Sequence, residues 1–411
     1  MSGDTTERGV RRLATIRDRL DAGMDRREFI RTLATGGYAV GMAQFLGVED
    51  FLSADDGDVP IVTALVRENP DDPWSLTERT RYVPAGWYAA LESAIELNER
   101  LAQLAFTGYL GSAVVPGTYQ SETATVSVGI SRDWDSVRDL LDQLTTGIPV
   151  EIEAIFDDDG IDDLEDVGDI EDAEDLENVD DNEGGYDSFE PRIVEQVHDG
   201  YVPSGVACET PTSLATLGPA LYSPDEEQAF FVTAEHAFEG NPDPTGESVA
   251  LPVQDSDHVS LGTVSSAHPV EDFATIEPTG DIEPVSLIDT QPPLRVRGQY
   301  TKFGLADLMA RGERLEKVGA MTGHTTGSIQ GIDAVTCFTD NFCRYGQIRW
   351  GGEMDLTDGD SGSVSFHADP EGTDEDVLIA GFNNARTWWP GQSYVWGVGA
   401  YRLTELHGYH F

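Results

Sequence analysis

Lysine is almost missing from this chain of 411 residues. Of its 25 basic residues only Lys302 and Lys317 are lysine, against 76 Asp and Glu, which leaves a formal charge of −51. So little positive charge argues against nucleic acid as a partner, since affinity for phosphate backbones comes from Lys and Arg; no basic patch with interleaved aromatics is present. Dense carboxylate without lysine instead points to solubility in concentrated salt. At about 1 M salt the Debye length is about 3 Å, and self-repulsion is screened. Cysteine is scarce too. Cys208, Cys337 and Cys343 lack the paired spacing of a zinc site, and no metal is expected. Cys337 and Cys343 are close enough to bridge one loop or to stay as two thiols, and Cys208 is left over. Long apolar runs are also lacking. The mild, Gly-containing stretch from Thr32 to about Val48 is too short to span a membrane. What is present in quantity is hydrophobic residue, 39% with 16 Phe and 7 Trp. That is enough to build cores and excludes a wholly disordered acidic protein.

In chain order, residues 1–59 form a basic leader. Asp25-Arg26-Arg27-Glu28-Phe29-Ile30-Arg31 resembles a twin-arginine export signal, which implies an extracellular protein. The alternative is a basic amphipathic helix on a cytoplasmic one. Residues 60–156 read as a small α/β domain. Trp87, Leu91, Ala94, Ile95, Leu101 and Leu104 keep a helical period from Ala85 to Phe106. Thr123 to Ile130 alternates as a strand. Ser131 or Asp133 can cap a helix bearing Val137, Leu140, Leu141 and Leu144, and Pro149 to Phe156 reads as a further strand. Residues 157–190 hold 18 Asp or Glu in 34 positions with no Lys or Arg. Such a segment cannot offset its chain entropy by burial and is expected to be a disordered linker. Residues 191–411 are strand-rich, with about a dozen short β-prone runs between turn clusters, the pattern of an all-β barrel or sandwich. Leu305 to Leu315 reads as a helical insertion.

Three short stretches in this last region carry chemistry. Thr357-Asp358-Gly359-Asp360-Ser361-Gly362-Ser363 sets a serine between glycines, where a tight turn can aim successive N–H groups into one pocket. A serine hydroxyl needs a base, usually histidine, held by a third group. Phe230-Phe231-Val232-Thr233-Ala234-Glu235-His236 reads as a buried strand running into a histidine. Val270-Glu271-Asp272-Phe273-Ala274 offers a carboxylate. Asp255, Asp257 and Asp281 lie in neighbouring segments without the Asp-x-Ala context of Asp272. The order His236, Asp272, Ser361, with Thr-Ala-x-His, Asp-x-Ala and Gly-Asp-Ser-Gly, resembles the chymotrypsin-like serine peptidases. The Gly/Thr-rich run from Gly319 to Gly331 is similar to a hairpin of their streptogrisin and α-lytic branch.

The resemblance covers roughly residues 200–411. It implies two six-stranded antiparallel β-barrels with a cleft between them, preceded by the α/β unit as a pro- or accessory domain. His236, Asp272 and Ser361 would be the catalytic groups, and the amides of Gly359 and Ser361 the oxyanion hole. Asp360 would support the turn from below. Asp355, six residues before Ser361, could select basic side chains, and Gly381 and Phe382 would run along the substrate as an edge strand. His324, Trp388 and Trp389 could shape the pocket. The implied protein is a monomeric serine endopeptidase of a salt-loving prokaryote, acting on protein or peptide substrates without a cofactor. Glu235 and Ser363 depart from the family pattern and keep an inactive peptide-binding relative open. An esterase or intracellular processing enzyme with the same triad is the other alternative.

Overall fold

The computed structural model describes residues 58–411 apart from 105–107, 131–148, 155–188, 198–199, 240, 256–257, 340–341 and 387–393. The twin-arginine stretch, the helix expected after Ser131, the acidic linker, Trp388 and Trp389 lie outside the described residues.

The N-terminal unit holds β1 (Asp58–Arg67), β2 (Leu76–Pro84), helix α1 (Ala85–Leu104), β3 (Tyr109–Pro116), β4 (Ala124–Ile130) and β5 (Val150–Ala154). A first β-rich half runs through β6 (Tyr201–Ser204), β7 (Ala207–Glu209), β8 (Leu214–Thr216), β9 (Leu221–Ser223) and β10 (Gln228–Thr233). It continues through β11 (Ser248–Leu251), β12 (Val259–His268), β13 (Phe273–Pro278) and β14 (Glu283–Ile288). The second half opens with β15 (Leu294–Tyr300), helix α2 (Lys302–Ala310), β16 (Arg314–Gly319), β17 (Gly323–Thr339) and β18 (Phe342–Trp350). It closes with β19 (Val364–Ala368), β20 (Asp376–Arg386), β21 (Val395–Gly399) and helix α3 (Ala400–His407).

The chain is mostly β. In the second half, hydrogen bonding passes in a cycle through β16, β17, β18, β21, β20 and β19, closed by a two-residue link between β19 and β16. The first half forms a seven-stranded sheet in the order β8-β7-β11-β12-β13-β10-β9, an open path rather than a six-stranded ring. Phe230, Val232 and Phe273 of this sheet share a core with Val364, Phe366 and Phe382 of the cycle and with Tyr409 and Phe411 at the C-terminus. The two halves therefore meet over apolar side chains, and the segments bearing His236, Asp272 and Ser361 flank that seam.

Helix α1 forms because Trp87, Leu91, Ala94 and Leu101 recur on one face, each fully buried. That face packs into a cluster shared with Ile332, Trp350 and Tyr401. Strand β1 pairs with β15, and β3 pairs with β17. The α/β unit is thus built into the sheet of the second half rather than set apart from it. The expected helix from Leu305 to Leu315 is displaced. It begins at Lys302, where Thr301 Oγ1 accepts the Gly304 N–H at 3.0 Å, and ends at Ala310. Gly312, at φ +72°, turns the chain back so that Leu315 enters β16.

The C-terminus is pinned by His410. Its backbone exchanges hydrogen bonds of 2.8 and 3.0 Å with Tyr222, and its ring stacks on Tyr222. The ring Nε2 donates to Pro73 O at 2.8 Å, while buried Nδ1 has no partner among the described residues. Burial pushes the imidazole down to about 4. A histidine that resists protonation in the fold, but not in the unfolded chain, costs stability as pH falls from about 6.5 to 4. The shift corresponds to about 3 kcal/mol. The expected result is a flatter loss of stability over that window in His410→Phe than in the parent, measured by urea unfolding at successive pH values. Identical pH slopes would refute it.

Candidate functional site

His236 follows β10 at the start of a single 3₁₀ turn, His236–Phe238. Asp272 stands just before β13 in the left-handed region, at φ 57°. Strand pairing sets the two side by side, because β10 and β13 are neighbours, with Thr233 opposite Ala274. His236 Nδ1 lies 2.8 Å from Asp272 Oδ2, and the His236 backbone N–H donates to Oδ1 at 3.0 Å. The carboxylate thus holds both the ring and the backbone of the histidine. Neither Asp255 nor Asp281 takes this place, and Asp257 lies outside the described residues.

Asp272 has no exposed side-chain surface. Burial alone would raise its pKa. The Arg344 guanidinium, 2.9 Å from Oδ2, and then the His236 contacts overturn that and hold the carboxyl well below the usual range. Arg344 sits on β18, one residue past Cys343, which is bonded to Cys337 in a disulfide across the β17–β18 hairpin. Its part in the site was missed at the sequence level, since nothing local to Arg344 points to a carboxylate 72 residues earlier. Glu235, by contrast, is shifted up, first by burial and then by the charge of Asp272.

Ser361 lies on a loop held by glycine on both sides, with Gly359 at φ +87° and Gly362 at φ +94°. At Gly362 a Cβ would fall 2.3 Å from Thr216 O, 2.7 Å from Thr233 Oγ1 and 3.1 Å from Ala234 N. Only glycine lets the loop come this close to the strand that leads into His236. Thr216 fastens the same loop twice: its N–H donates to Ser361 O at 2.8 Å and its Oγ1 to Gly359 O at 2.7 Å. The Ser361 hydroxyl makes no hydrogen bond among the described residues, and the Gly359 and Ser361 amides make no backbone hydrogen bond among them. Such donors are available to an incoming oxyanion.

Beneath the loop, Asp360 is fully buried. Its carboxylate accepts from Met321 N at 2.8 Å, Thr322 N at 3.1 Å, Thr357 N at 3.1 Å and Thr322 Oγ1 at 2.6 Å. It also pairs with Lys317 Nζ at 3.2 Å, and neither side chain reaches solvent. Burial lowers the Lys317 pKa more than Asp360 raises it. One of only two lysines in the chain is therefore spent on anchoring the Ser361 loop. Its rarity in an arginine-using sequence is a signal that sequence reading could have used.

Asp355 Oδ2 accepts the Gly352 N–H at 2.8 Å and closes its own turn. Gly381 and Phe382 are not on an edge: Gly381 pairs with both Ser365 and Gly399, and Phe382 with both Val364 and Val398. Phe382 is fully buried in the core between the halves. A strand bonded on both sides has no free amides for a substrate backbone, so that expectation is corrected. His324 is exposed and lies 2.7 Å from Glu316. Cys208 is a buried thiol, pushed up to about 12 by burial.

No family model matches the chain, and none of the curated proteins does. Among solved structures, it is similar to a glutamic acid specific serine protease that utilizes a novel histidine triad in substrate binding, with 15% identity and a TM-score of 0.37. It is also similar to Nocardiopsis protease, with 17% identity and a TM-score of 0.37, and to Thermobifida fusca protease A, with 18% and 0.36. Each match covers 51% of this chain, and 99%, 97% and 97% of the respective partner.

Proposed function

We propose that this chain is a serine endopeptidase of the chymotrypsin-like kind, its two β-rich halves serving as the two barrels and its acidic surface suiting it to high salt. The observation that carries the reading is the His236 imidazole gripped by a buried Asp272, with the Ser361 loop docked against the strand that leads into His236. In this reading Ser361 Oγ attacks the peptide carbonyl while its proton passes to His236 Nε2. Asp272 keeps the ring oriented and stabilises its charged form. The carbonyl oxygen becomes an oxyanion held by the Gly359 and Ser361 amides. Collapse of the tetrahedral intermediate breaks the C–N bond, with the proton from His236 going to the leaving amine. Water then attacks the acyl-enzyme by the same route and restores Ser361. No cofactor enters these steps.

The test is covalent labelling by a fluorophosphonate in molar salt. The full chain is expected to be labelled at Ser361 and to hydrolyse casein, and Ser361→Ala to do neither. The free Ser361 hydroxyl favours one second reading, an inactive relative that binds peptides. A folded wild-type chain that resists the label would establish that reading and end the peptidase assignment. Labelling with cleavage of esters but not of casein would make the chain an esterase.

A further inference from the structure

Outside the proposed catalytic groups, two imidazoles and a carboxylate converge. His268 ends β12, Glu271 lies in the turn before Asp272, and His407 ends α3. One donor atom from each lies within 4.8 Å of the others, and His407 Nε2 is 3.1 Å from Glu271 Oε2. We propose that these three side chains bind one divalent transition-metal ion of the zinc class, in a site of two histidines and one glutamate with a remaining position open to water.

The donor set selects the ion. Calcium takes six to eight oxygen ligands and magnesium a near-octahedral oxygen shell, whereas two imidazoles with one carboxylate suit zinc. Bonds of about 2.0–2.2 Å place tetrahedral donors about 3.4 Å apart. The His407–Glu271 contact, at 3.1 Å, is already close to that spacing, and a His268 donor lies within 4.8 Å of both. The second ring nitrogen of His268 is also provided for. Its Nε2 lies 3.2 Å from Ser266 Oγ, which is held in turn 2.7 Å from Thr275 Oγ1. With Nε2–H donating to Ser266 Oγ, the contact orients the ring and Nδ1 is the nitrogen left for the ion, as outer partners of metal-binding histidines arrange.

The walls are aromatic. His268 stacks on Phe273 with centroids 4.3 Å apart, and His407 meets the same ring edge-on. The Glu271 side chain is 10% exposed and that of His407 is 23% exposed, which leaves an approach from the end of α3. A simple histidine–glutamate pair would account for one imidazole. It gives no reason for a second, whose centroid lies 4.1 Å from the first. A bound ion would join the end of β12, the Asp272 turn and the C-terminal helix, and so would brace the residue next to Glu271 on which His236 depends. The site itself does not rest on the peptidase reading.

The test uses the full chain, stripped of metal by chelation and held in molar salt with excess Mg²⁺ to suppress diffuse binding to its 76 acidic residues. Zn²⁺ uptake is followed by calorimetry, and Co²⁺ uptake by visible absorption. One equivalent is expected, with a higher Tm and a cobalt spectrum of nitrogen–oxygen tetrahedral ligation. Affinity should fall more than about 100-fold in His268→Gln and in His407→Gln, and about 10-fold in Ser266→Ala. The exposed His324→Gln should bind as the parent does. Should His407→Gln fail to fold, His268→Gln and the parent's cobalt spectrum decide the matter. The proposal is overturned if the parent takes up no zinc at micromolar concentration, or if both histidine variants bind as tightly as the parent. Labelling of Ser361 is read separately, so failure of either reading leaves the other standing.

Discussion

Asp272→Asn is expected to lower turnover about 10⁴-fold, because an amide beside His236 Nδ1 favours the wrong imidazole tautomer and cannot stabilise the charged ring. The arrangement makes the effect sharp. The carboxylate grips both the ring nitrogen and the backbone N–H of His236 and has no solvent contact to share the load. It is also the partner of Arg344 at 2.9 Å, so the exchange should cost stability as well. Rates on a peptide ester, set beside melting curves that confirm a folded variant, separate the two effects. A folded Asp272→Asn protein within tenfold of the parent would remove Asp272 from the catalytic reading.

Asp360→Ala should produce the largest loss of stability, about 3–5 kcal/mol, the cost of leaving a buried charge without its partner. The buried Lys317 ammonium would lose its counter-charge and keep the Thr322 hydroxyl as a neutral acceptor, and the Met321, Thr322 and Thr357 amides would lose theirs. Since the Ser361 loop rests on these bonds, labelling of Ser361 should slow in parallel. Lys317→Met should be milder, because the carboxylate keeps its three amide donors and Thr322 Oγ1. Guanidinium chloride unfolding of both single variants and the double variant measures the coupling, expected at about 1–3 kcal/mol for groups in direct contact. An Asp360→Ala protein within about 1 kcal/mol of the parent would show that the pair does not anchor the loop.

Much of the β-rich region could be read in advance. The stretch read as a buried strand running into His236 falls on β10, and the alternating stretch from Thr123 to Ile130 falls on β4. Alternating β-prone residues between Gly, Pro and Asp clusters encode strands locally. Helix α1 was legible for the same kind of reason, its apolar face repeating along one stretch of chain. The C-terminal helix α3 was not, because the strand-like run before it, Val395–Gly399, passes into it without an apolar break. The edge-strand expectation for Gly381 and Phe382 failed on a different point. A strand's own residues do not say how many neighbours it has, and here β19 and β21 occupy both sides.

By itself the sequence determined which residues stand as candidates and in what order (His236, Asp272 and Ser361), the glycines that let the serine loop turn, and the acidic, lysine-poor composition. Each of these is written in residues adjacent in the chain, where turn chemistry and side-chain type act directly. Only the tertiary structure decided that Arg344 and Lys317 would neutralise Asp272 and Asp360. It also decided that β1 and β3 would extend the second half, and that His268, Glu271 and His407 would converge. The physical reason is common to all of these. A buried charge must find its counter-charge, and a strand edge its partner, wherever the folded chain brings one within reach, and that distance is not recorded in the spacing of residues along the backbone.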